Sequence, residues 1–253
     1  MNLLTTKYVQ LTYEKPIYCL VLKDEENRFS VELMQDVNKA LDLVLEKREY
    51  GEPQALLTTN LNEKIFSNGL ILQLLGKLGP LYFKQYQDLL ARILEFPIPT
   101  VAGISGHAFA GGCMLALAHD YRVMRSDRGY ICMNEVDMPA PLTPGMHSLL
   151  QAKTPNSVVL RDMLLKGHRF SGPESLSLGM VDACVPKDQL LVASKELAVK
   201  FSSKAAHSDA QAKVYQLIKQ GIYKETLNLL KNIKLGGVAE FMGIPEFNTN
   251  SKL

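Results

Sequence analysis

Short apolar runs alternate with amphipathic helical patterns from Ile17 to Pro186. Ser30–Lys47 and Leu81–Leu94 repeat apolar residues at the 3.6-residue period of a helix, and Ser30 is a suitable N-cap. Apolar strands that alternate with such helices predict an α/β core whose sheet is covered. The runs that read as strands are rich in Val, Ile, Leu and Tyr: Ile17–Lys23, Ala55–Thr59, Val101–Ile104, Tyr121–Arg125 and Tyr130–Met133.

The pattern changes after Pro186, where the strand-like runs stop. Gln189–Phe201 and Lys213–Ile233 both read as helices with polar faces. We therefore expect a core over residues 1–190 and a helical C-terminal region over residues 191–253, and not two independent domains. The last part of this region carries five lysines: Lys213, Lys219, Lys224, Lys231 and Lys234. They form either a solvated face or a basic rim for an anionic ligand, such as a phosphate, or for a neighbouring subunit.

Composition excludes several classes of function. The 28 Lys and Arg residues against 26 Asp and Glu give a net charge of +2, too small a field to attract nucleic acid. The histidines lack HxxxH spacing, and no GxxxxGK[ST] or GxGxxG motif occurs, so we predict no metal site and no phosphate loop. The most apolar stretch, Thr100–Ala118, is interrupted by glycines, serines and His107, which argues against a membrane span.

The cysteines and the last three residues indicate a cellular compartment. The four cysteines lie far apart with no CxxC pair, as expected for buried thiols in a reducing interior. The sequence ends in Ser251-Lys252-Leu253, the tripeptide that the peroxisomal import receptor binds. We therefore predict the peroxisomal matrix as the location.

Two glycine-marked turns are the first candidates for a functional site. One is Ile65–Leu70, after the Ala55–Thr59 strand, and the other is Gly106–Met114, which opens a helix. A helix start presents unpaired backbone N–H groups, and glycine lets a ligand oxygen approach them closely. Two converging amides form an oxyanion hole, which stabilises charge on a carbonyl oxygen. Alternatively, both are tight turns that only pack a helix on a strand.

One carboxylate completes the candidate site. Glu135 lies at the end of the apolar Tyr130–Met133 strand. A desolvated carboxyl there has a raised pKa and can act as a proton shuttle. The alternative is a carboxylate at the end of a strand that faces water. Asp137 is close in sequence but would point to the opposite face if the strand continued.

Several segments, in this order, resemble the crotonase (enoyl-CoA hydratase/isomerase) superfamily. They are Phe66–Leu70, Gly106–Cys113, His119–Arg122, Met133–Glu135 and Gly167–Val185. The resemblance covers residues 15–200 and implies a spiral of ββα units with a helical C-terminal part, assembled as trimers or hexamers. It also implies an acyl-CoA substrate, of which coenzyme A is a part, and no separate cofactor.

The same resemblance assigns roles by position. Leu70 and Gly111 would donate the two N–H groups that hold the thioester oxygen, and Glu135 would be the catalytic group. Residues expected to bind the substrate are Ser67, Asn68, Gly69, Met114 and Asn134.

The acidic residues favour one reaction of the family. Hydratases of the superfamily use two glutamates, and Met114 stands where the first would be, whereas Glu135 retains the second. Methionine cannot orient water, and Asn134-Glu135 matches the pair found in isomerase members. The resemblance therefore implies a Δ3,Δ2-enoyl-CoA isomerase of fatty acid β-oxidation.

Two alternatives remain open. One is a hydratase or dienoyl-CoA isomerase whose second acid is a residue such as Asp137. The other is a non-catalytic acyl-CoA-binding protein of the same fold.

The proline-rich segment over residues 139–145 is expected to reshape the tunnel that holds the acyl chain of the substrate.

Overall fold

The strands form two sheets in a computed structural model that describes residues 1–138, 140–206 and 209–243. The tripeptide at residues 251–253 therefore lies outside the described residues. The strands are β1 Asn2–Thr5, β2 Val9–Glu14, β3 Ile17–Leu22, β4 Ala55–Asn60, β5 Ile65–Ser67, β6 Thr100–Ile104, β7 His107–Phe109, β8 Tyr121–Arg125, β9 Tyr130–Cys132, β10 Phe170–Ser171 and β11 Ala183–Val185.

Helices connect these strands and fill the C-terminal region. They are α1 Val31–Lys47, α2 Leu72–Leu78, α3 Pro80–Leu94, α4 Gly111–Ala118, α5 Pro144–Lys153, α6 Ser157–Leu165, α7 Gly172–Ser177, α8 Leu190–Ser202, α9 Asp209–Ile222, α10 Lys224–Lys231 and α11 Gly237–Met242. Within the described residues, no helix combines the length and the apolar character needed to span a membrane.

The chain repeats one path three times. It runs along a strand of the larger sheet, returns in a short strand of the smaller sheet and then enters a helix, as in β4-β5-α2, β6-β7-α4 and β8-β9-α5. The larger sheet has the order β1-β2-β3-β4-β6-β8-β11 and is parallel from β3 to β11. The smaller sheet has the order β10-β9-β7-β5. This is the predicted spiral of ββα units. Of the smaller sheet, the sequence patterns predicted β9 and missed β5, β7 and β10.

Burial explains why these segments fold as they do. All six residues of β4 are buried, as expected for a central strand with both faces covered. In α1 the residues of one face are buried, and the Ser30 side chain accepts a hydrogen bond from the Leu33 N–H at 3.1 Å. A large apolar core fills one side of the sheet, and a smaller cluster that includes Leu57, Val101 and Leu190 lies under α8.

The C-terminal region corrects one prediction. The single helix expected over Lys213–Ile233 is two helices, α9 and α10, separated at Tyr223. The break lets α10 turn and bury Leu227 and Leu230 beside α5 and α3. Tertiary packing therefore overrides a helical pattern that is continuous in the sequence.

The five lysines do not form a single charged face. Lys219 is only 5% exposed and its ammonium lies 2.8 Å from the Asp120 carboxylate. That carboxylate also accepts hydrogen bonds from the Thr100 N–H and the Tyr215 hydroxyl. Lys231 pairs with Glu95. Lys219 is therefore part of neither a solvated face nor a basic rim, and the charge of Lys231 is paired.

Removal of the buried cation should destabilise the protein. Lys219→Ala leaves the Asp120 carboxylate buried without its cation, and we expect a loss of about 3 kcal/mol in the free energy of unfolding. Lys213→Ala, an exposed lysine of the same helix, should change it by less than about 0.5 kcal/mol. Urea unfolding of both variants measures the difference. Equal effects would contradict the structural role of the pair.

Candidate active site

The first glycine turn, at the end of β5, lies directly against the second. Gly69 has a φ of +76°, and a Cβ atom on it would lie 2.6 Å from the Gly111 nitrogen. A larger residue would therefore be strained and would push the two turns apart. From the other side, a Cβ on Gly111 would approach the Gly69 Cα to 3.1 Å. The two turns, which are more than 40 residues apart in sequence, meet at their backbones.

The second turn is held in an unusual backbone conformation. Ala110, the residue before α4, has a φ of +52°, which residues other than glycine rarely adopt. Its N–H donates to the Cys132 carbonyl at 2.9 Å, at the end of β9. Such strain costs about 1–3 kcal/mol and is typical of functional sites. The hydrogen bond also fixes the start of α4 relative to the segment that carries Glu135.

Both predicted N–H donors are available. Phe29 forms a parallel bridge with Leu70 in which the Phe29 N–H binds the Gly69 carbonyl, so this bridge does not use the Leu70 N–H. Gly111 is the first residue of α4, and its N–H has no acceptor within the helix. Leu70 and Gly111 line the same cavity, which has a volume of about 320 Å³. The arrangement is able to bind a carbonyl oxygen between two amides.

Two tyrosines of α3 support the two turns, and no sequence pattern marked either of them. The Tyr82 hydroxyl accepts from the Ile71 N–H at 2.8 Å and donates to the Phe29 carbonyl at 2.5 Å. Tyr86, one helical turn later, donates its hydroxyl proton to the Gly111 carbonyl at 2.5 Å. Burial raises the pKa of Tyr86 well above its ordinary value, so it remains a donor. One helix therefore positions both sides of the hole.

Arg28 is a further residue at the cavity that the sequence did not single out. Its Nε donates to Glu26 at 2.6 Å, and its Nη1 lies 3.3 Å from the Asn68 carbonyl and 3.4 Å from the Leu70 carbonyl. The Asn68 side chain donates to the same Glu26 carboxylate at 3.0 Å. These bonds hold the backbone of the first turn from the cavity side. No sequence motif marks Arg28, because its partners lie about 40 residues later.

Glu135 lies in the wall of the cavity, three residues beyond β9. Its Oε2 atom is buried and has no hydrogen-bond partner among the described residues. Burial raises the pKa of this carboxyl from 4.5 to about 7. A carboxyl with this pKa gains and loses a proton readily near neutral pH.

The structure brings some of the predicted residues together and not others. Asn68 and Met114 line the cavity with Leu70, Gly111 and Glu135. The remaining three do not belong to its lining: Ser67, Gly69 and Asn134.

Ser67 and Asp137 both lie outside the lining of the cavity. Ser67 is fully buried, donates to the Asn27 carbonyl at 2.7 Å and accepts from the Gly69 N–H, so it supports the turn from beneath. Asp137 is exposed, and its carboxylate lies beside Gly167, away from the cavity. Glu135 is thus the only carboxylate among the described residues that line the cavity.

Metal ligation finds no support in the described part of the chain, where no three His, Cys, Asp or Glu side chains come together as potential ligands. The four cysteines are all free thiols.

Comparison with known proteins identifies the family to which this α/β protein belongs. Residues 14–226 match the family described as enoyl-CoA hydratase/isomerase. The chain belongs to this family, the crotonase superfamily that the sequence motifs resemble.

Two relatives of known sequence are enoyl-CoA delta isomerases by name. The peroxisomal enoyl-CoA delta isomerase 2 of Arabidopsis thaliana is 32% identical over 218 residues, which cover 82% of this chain and 88% of that protein. The mitochondrial enoyl-CoA delta isomerase 1 of Mus musculus is 32% identical over 195 residues, which cover 74% and 65% of the two chains.

Solved structures confirm the fold class. The human mitochondrial Δ3-Δ2-enoyl-CoA isomerase superposes with a TM-score of 0.79 at 22% identity, over 94% of this chain and 91% of that one. A probable enoyl-CoA hydratase of Mycobacterium tuberculosis gives a TM-score of 0.80 at 21% identity, over 94% and 97%. Structures named as hydratases and structures named as isomerases both match this fold, so the fold does not decide the reaction.

The raised pKa of Glu135 makes stability depend on pH. The folded protein holds this proton up to about pH 7, whereas the unfolded chain releases it near 4.5, so the buried carboxyl destabilises the fold as pH rises through this range. Relative to Glu135→Gln, the wild type should lose up to about 3 kcal/mol of unfolding free energy between pH 5 and pH 8. Urea unfolding at both pH values measures this. A difference that does not vary with pH would contradict the shift.

Proposed function

We propose that the protein is a Δ3,Δ2-enoyl-CoA isomerase, which converts a 3-enoyl-CoA into the trans-2-enoyl-CoA. The observation that carries the proposal is one carboxylate with a buried oxygen, Glu135, in the wall of the cavity that Leu70 and Gly111 also line. One group that can take and return a proton is sufficient for moving a double bond. Addition of water needs a further group to orient the water.

The reaction follows from this arrangement. The thioester oxygen accepts hydrogen bonds from the Leu70 and Gly111 N–H groups, and Glu135 removes a proton from C2. The C2–H electrons enter the dienolate. When Glu135 returns the proton to C4, the C3=C4 π electrons form the new C4–H bond, the thioester C=O bond is restored, and the double bond remains between C2 and C3. The dienolate between these steps carries its negative charge on the oxygen, where the start of α4 also stabilises it. Loss of one such donor typically costs about 2.7–4 kcal/mol of transition-state stabilisation.

The surroundings of Glu135 suit proton return better than hydration. The side chain at the position of a first hydratase acid is Met114, which is 1% exposed and lines the cavity. Asp137, the other candidate for a second acid, does not line the cavity. Both observations favour the isomerase over the hydratase and dienoyl-CoA isomerase alternatives. The names of the Arabidopsis and mouse relatives support the same reaction.

We also propose that the protein acts in fatty acid β-oxidation in the peroxisomal matrix. A 2-enoyl thioester is the form in which β-oxidation proceeds, so an isomerase of this kind acts in fatty acid β-oxidation. Ser251-Lys252-Leu253 and the peroxisomal name of the Arabidopsis relative support a location in the peroxisomal matrix through the import receptor.

We further propose that the protein is a homotrimer or hexamer. Large apolar side chains on one stretch of α9 are half exposed or more, which is typical of surfaces that a partner covers. They are Val214, Leu217, Ile218 and Ile222.

Replacement of Glu135 tests the reaction directly. Wild type with 3-hexenoyl-CoA should produce the conjugated 2-enoyl absorbance, and Glu135→Gln should lower kcat by about 10²–10⁴, because the amide cannot transfer the proton. Asp137→Asn is the matched control and should retain the wild-type rate, since Asp137 does not line the cavity.

Three results would contradict the proposal in different ways. An unchanged rate in Glu135→Gln would exclude Glu135 as the base. Wild type that binds acyl-CoA without turnover would favour a binding protein. Hydration of 2-enoyl-CoA by wild type, lost in Asp137→Asn, would favour a hydratase.

The proposed location has its own test. Deletion of Ser251–Leu253 from a protein with an N-terminal fluorescent tag should leave the fluorescence in the cytosol, because the import receptor binds this tripeptide. A Lys252→Arg variant, which keeps the positive charge, is the control and should still be imported. Unchanged import of the truncated protein would contradict the peroxisomal assignment.

A further inference from the structure

A second, larger cavity adjoins the first on the other side of Glu135. Its volume is about 630 Å³, within the ~300–1,000 Å³ range of ligand pockets. The two cavities share five lining residues: Glu135, Ala140, Pro141, Leu142 and Phe241. We refer to the cavity with the N–H donors as the inner cavity and to the larger one as the outer cavity.

The outer cavity is lined mainly by apolar side chains from α6, α11 and the segment around Glu135. Among the described residues that line it, only Glu135 and His147 carry titratable groups. Three large apolar side chains of its wall are strongly exposed: Val136 by 51%, Phe241 by 60% and Leu165 by 72%. Such a cluster at a cavity is typical of a site that an apolar ligand covers.

We propose that the outer cavity binds the distal carbons of the acyl chain, so that the preferred substrates are long-chain 3-enoyl-CoA thioesters. This inference rests on the proposed function, which fixes the thioester oxygen at Leu70 and Gly111 and places C2 and C4 beside Glu135. Carbons beyond C4 then continue past Glu135, the residue that both cavities share. At about 320 Å³ the inner cavity lies near the lower limit for a ligand pocket, so a long chain extends beyond it.

Phe241 and the proline-rich segment form the passage between the cavities. Phe241 belongs to α11 and lines both of them, as do Pro141 and Leu142 from the segment that the sequence analysis expected to reshape the acyl tunnel. Leu165, at the end of α6, lines the outer cavity and not the inner one. It is therefore a specificity residue for long chains that short chains do not reach.

A charge at Leu165 tests the proposal without disturbing the inner cavity. Affinities for the saturated thioesters hexanoyl-CoA and dodecanoyl-CoA are measured by titration calorimetry. Each buried methylene strengthens binding about fourfold, so wild type should bind dodecanoyl-CoA at least tenfold more tightly. Leu165→Glu should lower the dodecanoyl-CoA affinity about tenfold or more and the hexanoyl-CoA affinity less than about twofold.

Val158→Glu is the matched control, because Val158 is 55% exposed on the same helix and lines neither cavity. It should change neither affinity. The proposal is overturned if wild type binds both thioesters equally, or if Leu165→Glu weakens both equally or neither. It is also overturned if Val158→Glu reproduces the effect of Leu165→Glu.

Turnover separates this proposal from the proposed function. The ratio of kcat/KM for 3-dodecenoyl-CoA to that for 3-hexenoyl-CoA should fall about tenfold in Leu165→Glu. Isomerisation of both substrates with an unchanged ratio overturns the outer cavity as an acyl site and leaves the isomerase intact. Saturated thioesters report binding without any reaction, so the binding result does not depend on turnover. Binding that depends on chain length, without turnover of the 3-enoyl substrates, therefore supports the outer cavity and overturns the isomerase.

Discussion

The contact between the Gly69 and Gly111 backbones is the constraint on which the site depends. No side chain fits between the two turns, so main-chain packing limits how closely the Leu70 and Gly111 N–H groups approach each other. Tyr82 and Tyr86, one helical turn apart on α3, hold the two turns in register. The turns come from two successive ββα units, so the hole exists only after both units have packed together.

Glu135 lines the same cavity from a third unit. The end of β9 is tied to Ala110 through the Cys132 carbonyl, so the carboxylate and the start of α4 keep a fixed relation. Burial disfavours the ionised form of Glu135 and so weakens the fold at alkaline pH. The same burial brings the pKa close to neutrality. The destabilisation and the capacity to exchange a proton have one cause, as is common at catalytic sites.

The sequence predicted those features that depend on local pattern. Glycines after strands located the two turns, and the resemblance to the family then assigned Leu70 and Gly111 within them. A carboxylate after an apolar strand located Glu135. The roles of Tyr86 and Arg28 depend on contacts that α3 and the first turn make only in the folded chain. Likewise, no periodicity distinguishes a solvated lysine from Lys219, whose partner Asp120 lies 99 residues earlier. The sequence therefore could not predict side-chain contacts between residues that lie far apart along the chain.

The groups proposed to bind the substrate oxygen belong to the main chain. The shape of the cavity wall can therefore change without a change in the oxygen-binding groups. Replacement of the side chains at Leu70 or Met114 alters the surface that a ligand meets but leaves the amides in position. The fold can therefore acquire a different reaction by exchanging a few wall residues while it keeps the ability to stabilise an enolate. Evolution within such a family is expected to be conservative at glycine positions and permissive around them.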